Sequence, residues 1–182
     1  AGAWGPEISA MVGMTVPVEP LSRETFYFEI RGDIETMPLT KDPGAVTFRQ
    51  EGGGFTSGLT DTDVPFGFDW EVDHDKFETV YWPVLAHRVP AFEALQVKRG
   101  WAGHYAYNRM DGNTIIGPWI GGLDNFYVAT GFTGAGLQKG PAIGRAMTEL
   151  LLDGGYQTID LSRMSYQRVI DNEPLLETGF TA

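Results

Sequence analysis

The stretch from Asn125 to Gly155, NFYVATGFTGAGLQKGPAIGRAMTELLLDGG, constrains the fold more than any other part of the chain. Phe126-Tyr127-Val128-Ala129 is a β-prone apolar run, and Thr130-Gly131 ends it. Gly131, Gly134, Gly136 and Gly140 follow, a spacing that lets backbone approach a flat or phosphorylated ligand closely. Pro141 suits a first helical turn. Ile143, Met147, Leu150 and Leu151 then form one apolar stripe, with Arg145, Thr148, Glu149 and Asp153 on the other side. Gly154-Gly155 supplies the stop. A strand, a glycine turn and a helix N-terminus together favour bound negative charge. The same residues also fit a tight strand-to-helix connection that holds no ligand.

The residues just upstream, Trp101 to Pro118, read WAGHYAYNRMDGNTIIGP: a strand, an Asp111-Gly112 turn, and a second strand ending at Gly117-Pro118. This order resembles the C-terminal part of the D-amino-acid oxidase family of FAD-dependent oxidoreductases, which includes sarcosine oxidase, glycine oxidase and dimethylglycine dehydrogenase. In that family a W-A-G hairpin with D-G and I-G-P leads to a strand, a G-[FH]-x-G-x-G loop and a helix ending in D-G. Trp82-Pro83, the HRVPAFE run from His87 to Glu93 and the QTIDLS run from Gln157 to Ser162 resemble one branch in particular. That branch contains a mitochondrial FAD-dependent oxidoreductase domain protein linked to assembly of respiratory complex I. The resemblance covers nearly all 182 residues.

A chain of 182 residues can build one substantial core or parts of two domains. The resemblance implies the second: a mixed α/β and α+β chain. Residues 1–13 and 100–155 would form part of a Rossmann-like FAD-binding domain. Residues 14–99 would form a substrate-binding domain with a mixed, largely antiparallel sheet, and 156–182 a docked tail with at most one short helix. The chain opens at Ala1-Gly2-Ala3-Trp4 without methionine. In the family A-G-[AV]-W closes a buried strand of the FAD domain. The expected partner is therefore the missing N-terminal half, carrying the G-x-G-x-x-G dinucleotide fingerprint.

A net charge of −11 argues against nucleic acid or anionic membrane as a general partner. No apolar run approaches the roughly 18 residues of a membrane span. The absence of cysteine removes disulfides and thiol chemistry, and fits a reducing compartment, cytoplasmic or the mitochondrial matrix.

In chain order, Pro6 to Val12 reads as a short helix with Gly13 past its end, and Pro17 to Pro20 as a break. Thr25 to Ile30 and residues 45–50 read as strands, the first buried on both sides by its aromatics. The triple glycine Gly52-Gly53-Gly54 fits a hairpin turn, or else a close approach to a bound ring. Asp61 to Trp70 is a Pro/Gly loop whose acids Asp61, Asp63 and Asp69 lack an EF-hand pattern, so a solvated loop is expected. Asp73 can cap a helix from His74 to about Ala86 that buries Phe77, Val80, Tyr81, Val84 and Leu85 and bends at Pro83. Ala91 to Val97 reads as a short helix leading to a Lys98-Arg99 turn.

No histidine spacing suggests a metal, and no Ser-His-Asp arrangement suggests hydrolysis. Candidate chemistry comes from the resemblance. It implies FAD contacts at Ala1, Gly2, Phe132, Thr133, Gly134, Ala135, Gly136, Leu137 and Gln138. Gly136 is expected to let the backbone close on the ring, with any positive φ that this needs. The implied catalytic positions are His104, Tyr105, Thr56 and Gln138. His104 stands where some relatives carry the cysteine that binds flavin covalently, so noncovalent FAD is expected. Tyr105 stands where glycine-oxidase-like relatives carry a carboxylate-binding arginine, leaving Arg49 and Arg109 as alternatives. Thr56 lies close to the lysine that speeds oxygen reaction in sarcosine oxidases, so oxidase and dehydrogenase both stay open. Gln138-Lys139 lies near a flavin-side lysine of some relatives, shifted by one. The implied reaction is oxidation of a C–N bond in an amine or an amino acid, N-methylated or not, by hydride transfer that needs no protein base. The alternative is a non-catalytic, flavoprotein-like interaction or assembly factor.

Overall fold

The computed structural model describes residues 1–43, 46–60 and 63–176. The chain divides into two compact units, Ser22–His104 and the remainder, Ala1–Leu21 with the residues from Tyr105 onward.

The Ser22–His104 unit is organised by an antiparallel sheet of five strands: β1 (Val18–Glu29), β2 (Thr40–Lys41), β3 (Val46–Glu51), β4 (Gly54–Leu59) and β5 (Gln96–Asn108), in the order β2-β3-β4-β1-β5. Ala45, expected to begin β3, lies outside the described residues, as does Asp61. Side chains alternate across a strand, so Phe26, Phe28, Val46, Phe48 and Phe55 all enter one core, where Phe77, Tyr81, Leu85 and Phe92 meet them. None of these nine is more than 3% exposed. Phe26 and Phe77 lie 4.8 Å apart between ring centroids, and Phe55 and Phe92 4.9 Å, in the tilted arrangements aromatic quadrupoles favour. Burial of each such ring contributes about 1.5–3 kcal/mol. Only one face of β1 is buried in this way: Tyr27 lies half-buried on the other, against the two-sided expectation.

Three local expectations change. Strand β1 runs straight through Pro20 instead of breaking there. Its pairing with β4 covers Thr25 to Phe28, so Pro20 lies beyond that ladder and its missing N–H costs no bond to β4. The Lys98-Arg99 pair lies inside β5, an edge strand on which exposed charge is normal. The preceding helix is a 3₁₀ segment, Pro90–Ala94. Glu51 pairs with Gly54, which makes Gly52-Gly53 a two-residue hairpin turn. Gly54 has its own reason to be glycine, since a Cβ there would collide with the Phe28 carbonyl oxygen.

Asp73 caps the next helix as expected, its Oδ1 accepting the Lys76 N–H at 3.0 Å. The helix is composite. After α2 (His74–Lys76) comes a π turn over Phe77–Tyr81 and then α3 (Trp82–Arg88). Pro83 cannot donate to the preceding turn, and the wide turn ahead of it is the form the disturbance takes. Val80 falls off the buried face and is exposed.

The other unit contains α1 (Gly5–Ala10), β6 (Ile115–Pro118), β7 (Tyr127–Thr130), α4 (Gly136–Asp153) and α5 (Gln167–Ile170). Its core gathers Met14, Val16, Val18, Ala106, Ile115, Val128 and Tyr166. The expected hairpin of Trp101 to Pro118 does not close, because β6 pairs with β7 and not with β5. The connection is held open by its own side chains. Asp111, with no exposed side-chain surface, accepts hydrogen bonds from Asn108 Nδ2, the Asn113 and Leu175 amides and both Nε and Nη2 of Arg168. Arg168, whose side chain is 6% exposed, also donates to the carbonyls of Met164, Ser165 and Asn113. Thus the tail docks on the Asp111 turn, with Tyr166 Oη adding a 2.7 Å bond to the Thr15 carbonyl.

Helix α4 starts at Gly136, five residues before the expected Pro141, which sits inside it. The carbonyl that Pro141 leaves without a partner belongs to Leu137, a fully solvated residue (93% exposed), so water satisfies it. Gly154, at φ 73°, ends the helix as expected. The buried stripe is Ile143, Ala146 and Glu149, while Leu151 is exposed. Glu149 turns inward because it organises the next loop. Its carboxylate accepts the Gln157 and Thr158 amides at 2.8 and 3.1 Å, Thr158 Oγ1 at 2.5 Å and Arg145 Nε at 3.0 Å.

Hydrogen bonds from the Thr158 hydroxyl, the Gln157 amide and Arg145 hold the Glu149 carboxyl down at about 2, from an ordinary 4.5. A carboxyl depressed by folding stabilises the fold fully above its unfolded value, and that contribution is lost as pH falls towards the folded one. The contribution of Glu149 is therefore present above pH 4.5 and disappears towards pH 2. Glu149→Gln is expected to lower the urea midpoint at pH 7 and to bring it close to that of the parent near pH 2. Parallel urea titrations at the two pH values check this; an unchanged gap between the proteins would contradict it.

Candidate functional site

The loop between β7 and α4 is shaped by backbone conformations that side chains rarely adopt. Gly131 and Gly134 have φ of 70° and 84°, and Thr133, not a glycine, has φ 48°. Thr133 is held there by its surroundings. Its amide donates to the Ala106 carbonyl at 3.0 Å, and its hydroxyl accepts the Asn108 amide at 3.1 Å and lies 3.3 Å from the Gly131 carbonyl. A Cβ on Gly131 would press at 3.2 Å on Asn108 and Val18. One on Gly134 would lie 2.5 Å from Tyr105 Cε2, so the backbone rests directly on the tyrosine ring. Gly136 differs from its expectation: it has no positive φ, and the nearest contact of an added Cβ is an ordinary 3.6 Å to Phe132.

Helix α4 opens on this loop without a side-chain cap, since its N-cap is Ala135. Lys139 is the first residue to bond back, donating to the Ala135 carbonyl at 3.2 Å. The first amides of a helix have no intrahelical acceptor, and here they belong to Gly136, Leu137 and Gln138, the last two exposed. Together with the helix dipole they present positive potential to an electron-rich or anionic group.

The chain start meets the root of the same loop. Gly2–Trp4 forms a 3₁₀ turn in which Gly2 has φ 56° and the Trp4 amide donates to the Ala1 carbonyl at 3.2 Å. Gly5 then packs so closely on β7 that a Cβ would stand 2.8 Å from Thr130 Oγ1. The expected cofactor positions, Ala1, Gly2 and Phe132 to Gln138, thus share one unit with Tyr105. The space beside Gly134 is taken by Tyr105, and the bare amides of α4 fit a group that carries acceptors at its edge.

Thr56 and His104 belong to the other unit. His104 Nε2 accepts the Asp69 amide at 3.0 Å, which places the neutral ring's proton on Nδ1. The rings of Trp70 and Phe68 lie 4.2 and 5.1 Å away, and the buried Nδ1 has no hydrogen-bond partner among the described residues. Thr56 lies on the sheet face opposite the aromatic core, beside Arg49 across the β3–β4 ladder. Both border a cavity of about 370 Å³ with Trp101 on its wall. Of the two alternative arginines, Arg109 pairs with Glu19 at 3.1 Å and Arg49 with Glu51 at 2.7 Å. Sequence reasoning missed Arg99, which stacks 5.7 Å from the Tyr27 ring and 5.1 Å from that of Trp101. The residue spacing of 99 and 101 along a strand would have revealed it, had the segment not been read as a turn. Among the described residues no helix is long and apolar enough to cross a membrane, and no cluster of three or more acidic, histidine or cysteine side chains could hold a metal.

The family model for FAD-dependent oxidoreductases of the D-amino-acid oxidase type matches residues 1–150. The Xenopus laevis FAD-dependent oxidoreductase domain-containing protein 1 is 41% identical over 97% of this chain, which spans 38% of that relative's length. The mitochondrial sarcosine dehydrogenase of Mus musculus is 25% identical over 85% of this chain and 18% of its own. The crystal structure of L-proline dehydrogenase from P. horikoshii superposes with a TM-score of 0.82 and 27% identity, covering 96% of this chain and 47% of that one. With residues 1–150, most of its length, matched by the family model, the chain belongs to the D-amino-acid oxidase family of FAD-dependent oxidoreductases.

Proposed function

We propose that this chain is the C-terminal part of an enzyme that oxidises a C–N bond of an amine or an amino acid, N-methylated or not, with noncovalently bound FAD. The observation that carries the reading is the Gly131–Gln138 loop, where close backbone approach and uncapped helix amides converge. The backbone of Phe132 to Gln138, through the amides of Gly136, Leu137 and Gln138, and that of Ala1-Gly2 would hold the flavin end of FAD, with Tyr105 supporting the loop from beneath Gly134. Bound there, FAD supplies the acceptor for a hydride from the carbon next to the substrate nitrogen. The protein's own part is orientation and electrostatics. Thr56 offers a hydroxyl on the sheet face. The Nδ1–H of His104, fixed by the Asp69 amide, is a donor still to be matched. Gln138 carries an amide at the first turn of α4.

Residues 1–13 and 100–155 are read as the C-terminal part of the FAD-binding domain and 14–99 as the substrate domain. A nucleotide-binding N-terminal half carrying the dinucleotide fingerprint is the proposed partner. Exposed Trp4, Ile8, Met11, Leu137, Leu151 and Leu152 support an apolar surface for it. The cysteine-free sequence favours a reducing compartment, the cytoplasm or the mitochondrial matrix. The test is anaerobic addition of sarcosine or L-proline to the FAD-loaded protein. Bleaching of the oxidised flavin band is expected, and denaturation should then release all flavin into solution. An unbleached spectrum with a panel of secondary amines would count against C–N oxidation; flavin retained on the denatured chain would count against noncovalent binding.

A further inference from the structure

Two residues other than glycine have positive φ among the described residues, Thr133 at 48° and Asn172 at 54°. Asparagine enters the left-handed region readily, and Asn172 follows the end of α5, where such a residue closes a helix. Thr133 is the outlier. A β-branched side chain is disfavoured there and persists only where its surroundings over-determine it. Those surroundings lead, through buried polar groups, to the tail that contains Asn172.

The link is Asn108, which has no exposed surface. Its backbone amide donates to Thr133 Oγ1 at 3.1 Å, and a Cβ on Gly131 would stand 3.2 Å from its own Cβ. Its side-chain amide donates to Asp111 Oδ1 at 2.9 Å and to the Asn113 carbonyl, and its Oδ1 accepts the Met110 amide at 3.0 Å. The tail holds the same two acceptors. Arg168 donates to Asp111 Oδ2 at 3.0 Å and to the Asn113 carbonyl at 3.1 Å. The Leu175 amide donates to Asp111 Oδ2 at 2.9 Å, and Asn113 Nδ2 donates to the Leu175 carbonyl at 2.8 Å. Asn108 and the tail therefore share one carboxylate and one carbonyl. Neither can shift without a buried polar group losing a partner, which is costly.

We propose that Asn108 and Thr133 are positioning residues for the cofactor loop, and that the tail sets them through residues 168–175. Docking on Asp111 fixes Asn108, and Asn108 holds Thr133 in the conformation that aims the first amides of α4. The proposal rests on the reading that the Gly131–Gln138 loop holds FAD. No tail residue has to touch the cofactor. The consequence is a coupling between tail docking and FAD binding, which thermodynamic linkage makes reciprocal.

The rate of FAD release from the full-length holoprotein on dilution, read as free-flavin fluorescence, tests this. Thr133→Ala leaves the buried Asn108 amide without an acceptor and should release FAD about tenfold faster. Thr133→Ser keeps the hydroxyl and should stay within about twofold of the parent. Asp111→Leu with Arg168→Leu undocks the tail without leaving a lone buried charge, and should also speed release about tenfold. Added to Thr133→Ala, that pair should contribute less than about a further twofold, because both act through one hydroxyl. Melting temperature reports the folding of each variant separately. Effects that multiply would overturn the proposal, since a tail that merely stabilises the fold acts independently of Thr133. The parent protein gives a second reading without any substitution. Exchange of the Leu175 amide, which Asp111 holds, should slow several-fold when FAD is bound; equal exchange in the two states would overturn the proposal. Unchanged release in the undocked variant, beside faster release in Gly134→Ala, would overturn it and leave the loop reading standing. Unchanged release in Gly134→Ala and Thr133→Ala alike would overturn both.

Discussion

Asp111→Ala is expected to destabilise the protein by about 3–5 kcal/mol, the usual cost of breaking a buried ion pair from one side. The substitution strands the Arg168 guanidinium, 6% exposed, and removes the acceptor used by the Asn113 and Leu175 amides and by Asn108. Against a net stability of about 5–15 kcal/mol such a loss is large. Burial pushes the Asp111 carboxyl up, but hydrogen bonds from Arg168, Leu175 and Asn113 and the Arg168 charge outweigh it and leave it below its ordinary 3.8. The carboxylate is thus ionised at neutral pH, and the contribution is lost only in acid, below that value. Replacing both partners, as Asp111→Leu with Arg168→Leu, should cost less than the sum of the single changes, because no lone charge remains buried. Urea unfolding of the three variants measures this. A loss under about 1 kcal/mol for Asp111→Ala would place the pair among the weak surface contacts.

Gly134→Ala is expected to lower FAD affinity by about tenfold or more, equivalent to about 1.4 kcal/mol. Two effects act together. A φ of 84° costs an L-residue roughly 1–2 kcal/mol, and the new methyl would drive into the Tyr105 ring, 2.5 Å away. Either the loop lifts or Tyr105 turns aside, and in both cases the amides of α4 are re-aimed. Asp63→Ala, at the cavity bordered by Glu24 and Lys76 in the other unit, should leave flavin occupancy unchanged. Flavin content per chain after gel filtration distinguishes the two variants. Equal occupancy would remove the loop from the cofactor site.

Much of this was legible in the sequence because it rests on local rules. The Asp73 cap, the Gly52-Gly53 turn and the Gly154 stop each follow from one residue type at one backbone conformation. The aromatics of β1 announced a buried strand, but not that only the face of Phe26 and Phe28 enters the core. Features that depend on distant partners were not legible. Glu149 falls on the polar side of α4 by periodicity, yet it is buried by a loop eight and nine residues later that needs an acceptor. Asp111-Gly112 looks like a hairpin turn until Arg168, 57 residues away, occupies its carboxylate. Lys98-Arg99 looks like a turn until Glu29 and Tyr27 on the neighbouring strand give both cations partners. At the candidate site, the glycines announced a close approach, but their order of importance was hidden. Gly134, not Gly136, carries the left-handed backbone and the ring contact. The pairing of Arg49 with Glu51 needs only the period of a strand, yet its place on a cavity floor needs β4, β1 and β5 alongside.

Amide hydrogen exchange of the full-length protein, with and without FAD, tests most directly whether the loop holds the flavin. Slowed exchange is expected within Phe132 to Gln138, chiefly at Gly136, Leu137 and Gln138, and at Gly2 on FAD binding, because those helix-start amides gain a cofactor in place of water. Smaller changes are expected at the tail residues 162–170, which dock on the Asp111 turn and carry none of the loop's amides. Protection confined to other segments, with Phe132 to Gln138 exchanging at the same rate in both states, would contradict the account.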